Sequence, residues 1–154
     1  MKPTDNLAYR YPVSIKGVIF LDGDVILLKN ERNEFELPGG KLEVHEQPPE
    51  TLVREIKEEL SIDVEIVDAI DSWLYHIDQE THVVIITYLC KMCNNNAQIQ
   101  ISSEHKQLGI FALTDLVGLN IPSGYVDSIY KAAKRESHYE SQRYQTAESK
   151  RLID

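Results

Sequence analysis

The chain has 154 residues, a formal net charge of −9 and a composition that is ordinary for a globular protein, with 42% hydrophobic and 27% charged residues. This length predicts a single domain over 1–154 with a substantial core. The acidic balance argues against sequence-independent binding to polymeric nucleic acid, which needs a basic face. It leaves room for a small anionic substrate, because a bound metal ion can invert the local field.

The cysteines and the N-terminal segment indicate the cellular compartment of the protein. Cys90 and Cys93 form one C-x-x-C pair, and no second pair completes a zinc site. Residues three apart on a strand point to opposite faces, so we interpret both as structural free thiols in a reducing compartment. The N-terminal segment has no apolar signal core, and no run approaches eighteen apolar residues. The sequence therefore predicts a cytoplasmic protein without a membrane partner.

The first part of the chain predicts a β-hairpin followed by a short strand. Strand-like apolar runs occupy 13–20 and 25–30, and Asp22-Gly23 lies between them. This dipeptide is a strong hairpin signal because glycine readily takes positive φ. A short strand-like run follows at 35–37.

A turn and an amphipathic helix come next. The Pro-Gly-Gly sequence at 38–40 is predicted to form a turn or loop. The prolines at 48–49 suit the first turn of a helix, where an amide donor is not needed. We therefore expect a helix over about 49–60.

The second half predicts long strands and a late helix. Strand candidates occupy 63–77, 82–93 and 107–113, and a second helix is expected at about 123–136. The run at 82–93 is apolar on both alternating faces, as in a strand that is covered on two sides. The polar tail at 137–154 is either a helical extension or disordered. The order of elements predicts the α/β class, with a sandwich built on a mixed β-sheet.

The predicted first helix concentrates negative charge on one face. Glu55, Glu58 and Glu59 fall three and four residues apart, where like charges repel by roughly 0.2–0.5 kcal/mol per pair, and Arg54 alone lies close to them. The carboxylate face adjoins the apolar face and should look onto a cleft or solvent. One interpretation is a solvated acidic surface. The other is a site for a hard divalent cation such as Mg²⁺, which prefers oxygen ligands.

The spacing around this helix resembles a known motif. From Gly40 to Ile62 the chain is similar to the Nudix box, G-x(5)-E-x(7)-R-E-U-x-E-E-x-G-U, in which U is aliphatic. Every defined position fits except Ser61, which stands where the motif has glycine. Glycine there would end the helix with positive φ, so serine should cost about 1 kcal/mol without removing a carboxylate.

The resemblance implies a fold, an activity and a site. It implies a Nudix-type α-β-α sandwich that uses Mg²⁺ or Mn²⁺ to hydrolyse the diphosphate of a nucleoside diphosphate linked to a moiety X. The metal ligands implied here are the carbonyl of Gly39 and the carboxylates of Glu55, Glu58 and Glu59. Arg54 would orient the box carboxylates.

The catalytic set implied by the resemblance is Glu58, Glu59, Arg54 and Glu104. A carboxylate must accept the proton of the attacking water, and it is either a box glutamate or a glutamate on a later loop. Glu104 is the late-loop candidate, and an exposed loop acid is an equally good interpretation of that residue.

The sequence says less about which substrate is bound than about the metal site. Trp73, Tyr75 and Tyr88 could stack on a base, although aromatic residues in strands are more often part of the core. Lys29 and Arg32 could contact phosphates or could be ordinary charges at the rim of a hairpin. The partner indicated is a small nucleotide, a nucleoside triphosphate or a nucleotide sugar, rather than nucleic acid. A homodimer is compatible with the sequence.

Two alternatives belong to other classes of function. One is a non-catalytic Nudix-fold module that senses a nucleotide, which the intact set of box carboxylates argues against. The other is an acidic structural domain that matches the motif by chance. Phosphate release from a nucleotide panel with Mg²⁺ distinguishes them.

Overall fold

The computed structural model describes residues 9–103 and 107–153. These residues form the following elements in chain order: β1 (Val13–Leu21), β2 (Asp24–Lys29), β3 (Phe35–Glu36), β4 (Gly39–Lys41), α1 (Pro48–Leu60), β5 (Val64–His76), β6 (His82–Met92), β7 (Gln107–Phe111) and α2 (Ser123–Ile153). A short 3₁₀ helix, Leu113–Gly118, lies between β7 and α2.

β1 is the centre of the sheet. The strand order is β3-β2-β1-β6-β5, with β4 also on β1 and β7 also on β2. β1 pairs in parallel with β6, and the other pairings of the described strands are antiparallel. The predicted mixed sheet is therefore confirmed.

One edge of β1 is shared between two partners, and this sharing positions the functional site. β4 pairs with the start of β1, where Lys16 is the partner of Gly39, and β2 pairs with its end, where Leu21 is the partner of Asp24. β4 also contacts α1. The glycine-rich segment is thus held between the central strand and the acidic helix.

The sheet is covered on both faces by helices. Alternation along β1 directs Ile15 and Ile19 into the core cluster under α1, and Val18 into the cluster under α2. The apolar face of α1 fills the first cluster with Leu52, Ile56 and Leu60, and α2 fills the second with Tyr125, Ile129 and Ala132. Each fully buried Leu or Ile contributes about 1.5–3 kcal/mol. The predicted α-β-α arrangement is confirmed.

The prediction for the Pro-Gly-Gly segment is wrong in part. Gly39–Lys41 is a strand rather than a turn. Gly39 has φ +143, and a Cβ built on it would lie 1.9 Å from the carbonyl oxygen of Ile15. Glycine at position 39 therefore allows β4 to pair unusually closely with β1. Composition alone had indicated a turn for this segment.

Other local predictions are confirmed. Asp22 and Gly23 both have positive φ, 50° and 86°, as a tight two-residue hairpin requires. Cys90 is buried and Cys93 is exposed, so the two thiols do lie on different sides. The polar tail is helical, because α2 continues to Ile153. In the described part of the chain, no helix is both long and apolar enough to span a bilayer.

Candidate functional site

The residues at the two ends of α1 account for where this helix begins and stops. Pro48 occupies the first turn, and Glu50 there is favourable for the helix dipole. Ser61 ends the helix with φ 59 and ψ 29, and its N–H donates to the carbonyl oxygen of Lys57. This is the left-handed cap expected of the glycine that Ser61 replaces.

The three helix carboxylates differ in exposure. Glu59 is only 5% exposed, and its Oε1 accepts a hydrogen bond of 2.7 Å from the N–H of Gly39. The side chain of Glu58 is 58% exposed, whereas that of Glu55 is 19% exposed. The expectation of one outward-facing carboxylate face is therefore wrong for Glu59, because α1 packs so closely on β4 that this position is covered.

Arg54 is bonded to several carboxylates at once. Its Nε and Nη2 donate to both oxygens of Glu46, at 2.7 and 2.9 Å. Its Nη1 donates to Glu55 at 3.0 Å and to Glu58 at 3.2 Å. The repulsion expected between the helix carboxylates is thus offset by one guanidinium, whose planar donors suit bidentate contacts.

The pKa of Glu46 reflects this arrangement. The hydrogen bonds from Arg54, assisted by one from the hydroxyl of Thr51 at 2.9 Å, lower the pKa of Glu46 to about 2 from an ordinary 4.5. The same bond to Glu46 raises the pKa of Arg54. Both groups stay charged at neutral pH, and the loop before α1 is held to the helix by a charged pair.

Gly40 allows the carboxylate of Glu55 to lie against the backbone. A Cβ on Gly40 would lie 2.3 Å from Cδ of Glu55 and 2.5 Å from its Oε2. Glycine at this position is therefore a steric requirement of the site. The result is a cradle in which carboxylate oxygens and main-chain polar groups lie close together.

The donor set fits a hard divalent cation in its chemistry. The groups are all oxygens: the carbonyl of Gly39 and the carboxylates of Glu55, Glu58 and Glu59. Within the described residues, no group of three or more His, Cys, Asp or Glu side chains is arranged to hold a metal ion. The carboxylates instead bond to Arg54 and to the N–H of Gly39.

Several candidates from the sequence lie away from this cradle. Trp73 and Tyr75 on β5 border a groove of about 540 Å³, together with Glu34 and Gly124. Tyr88 packs against the core cluster under α1 instead. Glu104 falls outside the described residues.

The two basic candidates near the β2–β3 connection make local contacts. The ammonium of Lys29 lies 5.2 Å from the ring centroid of Phe35. Arg32 forms ion pairs with Glu31 at 2.9 Å and Glu34 at 2.8 Å. Both contacts agree with the interpretation of these residues as hairpin-rim charges.

Sequence reasoning missed Lys16. This residue lies inside the apolar run of β1, is only 6% exposed, and is the cross-strand partner of Gly39. Burial alone lowers the pKa of Lys16, but the acidic groups of Tyr125, Glu36, Glu59 and Glu55 together raise it. The signal in the sequence was a charged residue within an otherwise apolar strand.

The chain matches a known protein family over most of its length. Residues 10–127 match the NUDIX domain. The chain belongs to the NUDIX family. The Nudix box, Gly40 to Ile62, lies within the matched range and contains α1, Arg54 and the cradle residues other than Gly39.

Two known proteins are similar to the chain over parts of their length. It is 30% identical over 96 residues to YjhB of Bacillus subtilis (strain 168), covering 59% of this chain and 46% of that protein. It is 28% identical over 114 residues to the ADP-ribose pyrophosphatase of Methanocaldococcus jannaschii, covering 70% and 66% of the two chains. The chain thus spans less than two thirds of the length of either protein.

A solved structure supports the same fold. The MutT NUDIX hydrolase from Burkholderia pseudomallei superimposes with a TM-score of 0.69 at 27% sequence identity, covering 80% of this chain and 98% of that one. The α/β Nudix fold, with its mixed sheet between flanking helices, therefore accounts for most of the chain.

Proposed function

We propose that the chain is a divalent-metal-dependent pyrophosphohydrolase that cleaves the diphosphate linkage of a nucleoside diphosphate joined to a second moiety. Nudix proteins typically depend on divalent metal ions, and the intact set of box carboxylates supports the same dependence here. A nucleotide-sensing module without catalysis is the alternative, and it requires no activated water.

The contact between Glu59 and Gly39 carries the proposal. Burial of a carboxylate is costly unless its charge is paired and hydrogen-bonded, and Glu59, only 5% exposed, accepts a hydrogen bond from the N–H of the glycine-rich strand. Glu55 is brought to the same strand by the absence of a Cβ on Gly40. A structural acidic surface would not need to bring either carboxylate to the backbone.

The side chains of the site would have different roles in such a reaction. Gly39 through its carbonyl, with Glu55, Glu58 and Glu59, would hold Mg²⁺ or Mn²⁺. The chemistry that such an ion supplies is neutralisation of the diphosphate charge and acidification of the attacking water. Arg54 orients the carboxylates by its bonds to Glu46, Glu55 and Glu58.

The proton of the attacking water must pass to a carboxylate. Glu58 is suited to this by its exposure and by its longer bonds to Arg54, of 3.2 and 3.4 Å. Glu59 and Glu104 are the other candidates. As this proton is removed, the water oxygen bonds to one phosphorus and the bond from that phosphorus to the bridging oxygen breaks, so that the second phosphate leaves with the group attached to it.

For the substrate we propose a nucleoside diphosphate linked to a sugar. The similarity to an ADP-ribose pyrophosphatase supports this class, and a net charge of −9 disfavours an RNA end. The groove beside Trp73 and Tyr75 offers an aromatic wall for a base or sugar. ADP-ribose is therefore the first compound to test.

The test is hydrolysis of a panel with Mg²⁺ and with EDTA. The panel contains ADP-ribose, UDP-glucose, nucleoside triphosphates and a 5′-triphosphorylated oligonucleotide. We expect metal-dependent release of a nucleoside monophosphate from a nucleotide sugar, with the highest kcat/KM in the panel. A higher kcat/KM on the oligonucleotide would overturn the substrate proposal.

Glu59→Gln tests the charge of this carboxylate while keeping its contact, because the amide oxygen of glutamine can still accept the hydrogen bond from the N–H of Gly39. We expect its kcat to fall by about 10²-fold or more while its melting temperature stays close to that of the wild type. Glu65→Gln removes the same charge at an exposed position on β5 and should have normal activity. Wild-type rates in Glu59→Gln would place the reaction elsewhere.

A further inference from the structure

Two histidines lie opposite each other at the loop end of the β5–β6 hairpin. His76 and His82 are the last register pair of the two strands, beside the loop of residues 77–81. Their Nδ1 atoms are 2.6 Å apart, and the rings meet edge to face with 4.5 Å between centroids. Among the described residues, these are the two histidines whose imidazoles are in contact with each other.

As a purely structural contact, this pair is a weak choice. An N–H···N bond forms only while at least one ring is neutral, because a protonated imidazole has no acceptor nitrogen. When both rings are protonated, two like charges lie directly opposite each other across the strands, which destabilises a sheet. The close approach of the two nitrogens therefore indicates a role other than packing.

The hairpin holds the two rings in place before any ligand arrives. The Oδ1 atom of Asp78 accepts hydrogen bonds from the N–H of Glu80 and of Thr81, at 2.9 and 2.8 Å. The N–H of Ile77 donates to the carbonyl oxygen of Thr81 at 2.9 Å. Because the loop and the strand pairing both fix the backbone here, a ligand that bridges the rings loses little entropy on binding.

Two imidazole nitrogens that point at each other suit a transition-metal ion. Imidazole is a good ligand for Zn²⁺, Cu²⁺ and Ni²⁺, whereas Mg²⁺ prefers oxygen ligands. With Zn–N bonds of about 2.0–2.1 Å, two ligands of a tetrahedral ion lie about 3.3 Å apart, so the nitrogens need to separate by less than about 1 Å. The ring of His76 is exposed and that of His82 is half-buried, so both have room for this small movement.

We propose that His76 and His82 bind one divalent transition-metal ion, of the class of Zn²⁺, Ni²⁺ or Cu²⁺, through their Nδ1 atoms, with water in the remaining positions. Each ring then carries its proton on Nε2. The ion joins β5 to β6 at the loop end of the hairpin.

This site is separate from the carboxylate cradle. β4, which bears Gly39, and β6, which bears His82, pair with the same stretch of β1 and therefore lie on its opposite edges. The ligands also differ in kind, nitrogen in one site and oxygen in the other. The inference therefore does not depend on the proposed hydrolysis.

The competing explanation is a hydrogen-bonded pair that binds no metal. Long-range ¹H–¹⁵N correlation spectra of the wild type distinguish the two, because they report on each ring nitrogen separately. We expect Zn²⁺ to shift the Nδ1 signals of His76 and His82 together and to leave those of His138 unchanged. This measurement needs no variant, so it stays decisive even where a substitution harms folding.

The binding experiment is a calorimetric titration with Zn²⁺ in excess Mg²⁺, which keeps the oxygen sites occupied. We expect one Zn²⁺ per chain, bound at least about tenfold more weakly by His76→Gln and by His82→Gln, since each removes one of two protein ligands. Zn²⁺ should also raise the melting temperature of the wild type by linkage, and it should raise that of either variant less.

The controls remove other groups that bind Zn²⁺. His45→Asn/His138→Gln removes two imidazoles at exposed positions, and Cys93→Ser removes the exposed thiol. Both should bind Zn²⁺ like the wild type. No Zn²⁺ binding by the wild type, wild-type affinity in His76→Gln/His82→Gln, loss of binding in either control, or Nδ1 signals that do not respond to Zn²⁺ would overturn the site.

Discussion

The carboxylate of Glu55 lies directly against the backbone of Gly40, so closely that a Cβ at position 40 would come within 2.3 Å of Cδ. The atoms that would collide are at the end of a flexible side chain rather than in the backbone. A substitution here should therefore move the carboxylate before it disturbs the fold.

This contact predicts a separation of activity from stability in Gly40→Ala. We expect the hydrolytic rate to fall by at least about tenfold because Glu55 is displaced, with a loss of stability of about 1–3 kcal/mol or less. Steady-state kinetics and thermal melting measure the two effects. Gly118→Ala is the control, since a Cβ there meets nothing within 4 Å. An equal loss of activity in both variants would contradict the steric argument.

Metal binding should stabilise the protein by linkage. A ligand that binds the folded chain alone at 100 times its Kd adds about 2.7 kcal/mol, so saturating Mg²⁺ should raise Tm by several degrees. We expect less than half of that rise in Glu55→Gln/Glu58→Gln. Differential scanning fluorimetry over a Mg²⁺ series measures it.

The matched control for this series is Glu50→Gln/Glu65→Gln, which removes the same two charges at exposed positions. It should keep the full metal-induced shift. A shift of the same size in Glu55→Gln/Glu58→Gln would point to a metal site elsewhere in the protein.

The bond between Arg54 and Glu46 predicts an acid-labile contribution to stability. The pKa of Glu46 is lowered to about 2 in the folded state from an ordinary 4.5. A lowered pKa stabilises the folded chain above the unfolded pKa, and this stabilisation is lost as the pH falls toward 2. The wild type should therefore exceed Glu46→Gln in free energy of unfolding at pH 7, and the gap should close between about pH 4.5 and 2.

Urea unfolding of both proteins across this pH range tests the prediction. Glu65→Gln, at an exposed position, should follow the wild type throughout. A gap between wild type and Glu46→Gln that stays constant down to pH 2 would show that Glu46 does not gain its stability from ionisation.

The two thiols should differ sharply in reactivity. Burial raises the pKa of the Cys90 thiol to about 12, whereas Cys93 is exposed. We expect one thiol to react quickly with a disulfide reagent at pH 8 in the native protein and the second only after unfolding. Cys93→Ser should abolish the fast phase, and two fast thiols in the wild type would contradict the packing of Cys90.

The amino-acid sequence by itself determined the features that depend on local spacing. Asp22-Gly23 predicted the hairpin because this dipeptide adopts positive φ more readily than most pairs of residues. The fixed interval from Gly40 to Arg54 predicted the Nudix box, and α1 begins within one residue of its expected start. Such features need no knowledge of distant parts of the chain.

Tertiary structure alone decided which side chains meet across the sheet. Gly39 became a strand residue, and Glu59 became buried, because β4 pairs with β1 beneath α1. The neighbourhood of Lys16 and Thr87 depends on the parallel register of β1 and β6, whose strands lie about seventy residues apart in the chain. Register is set by the packing of the whole sheet rather than by the residues of either strand.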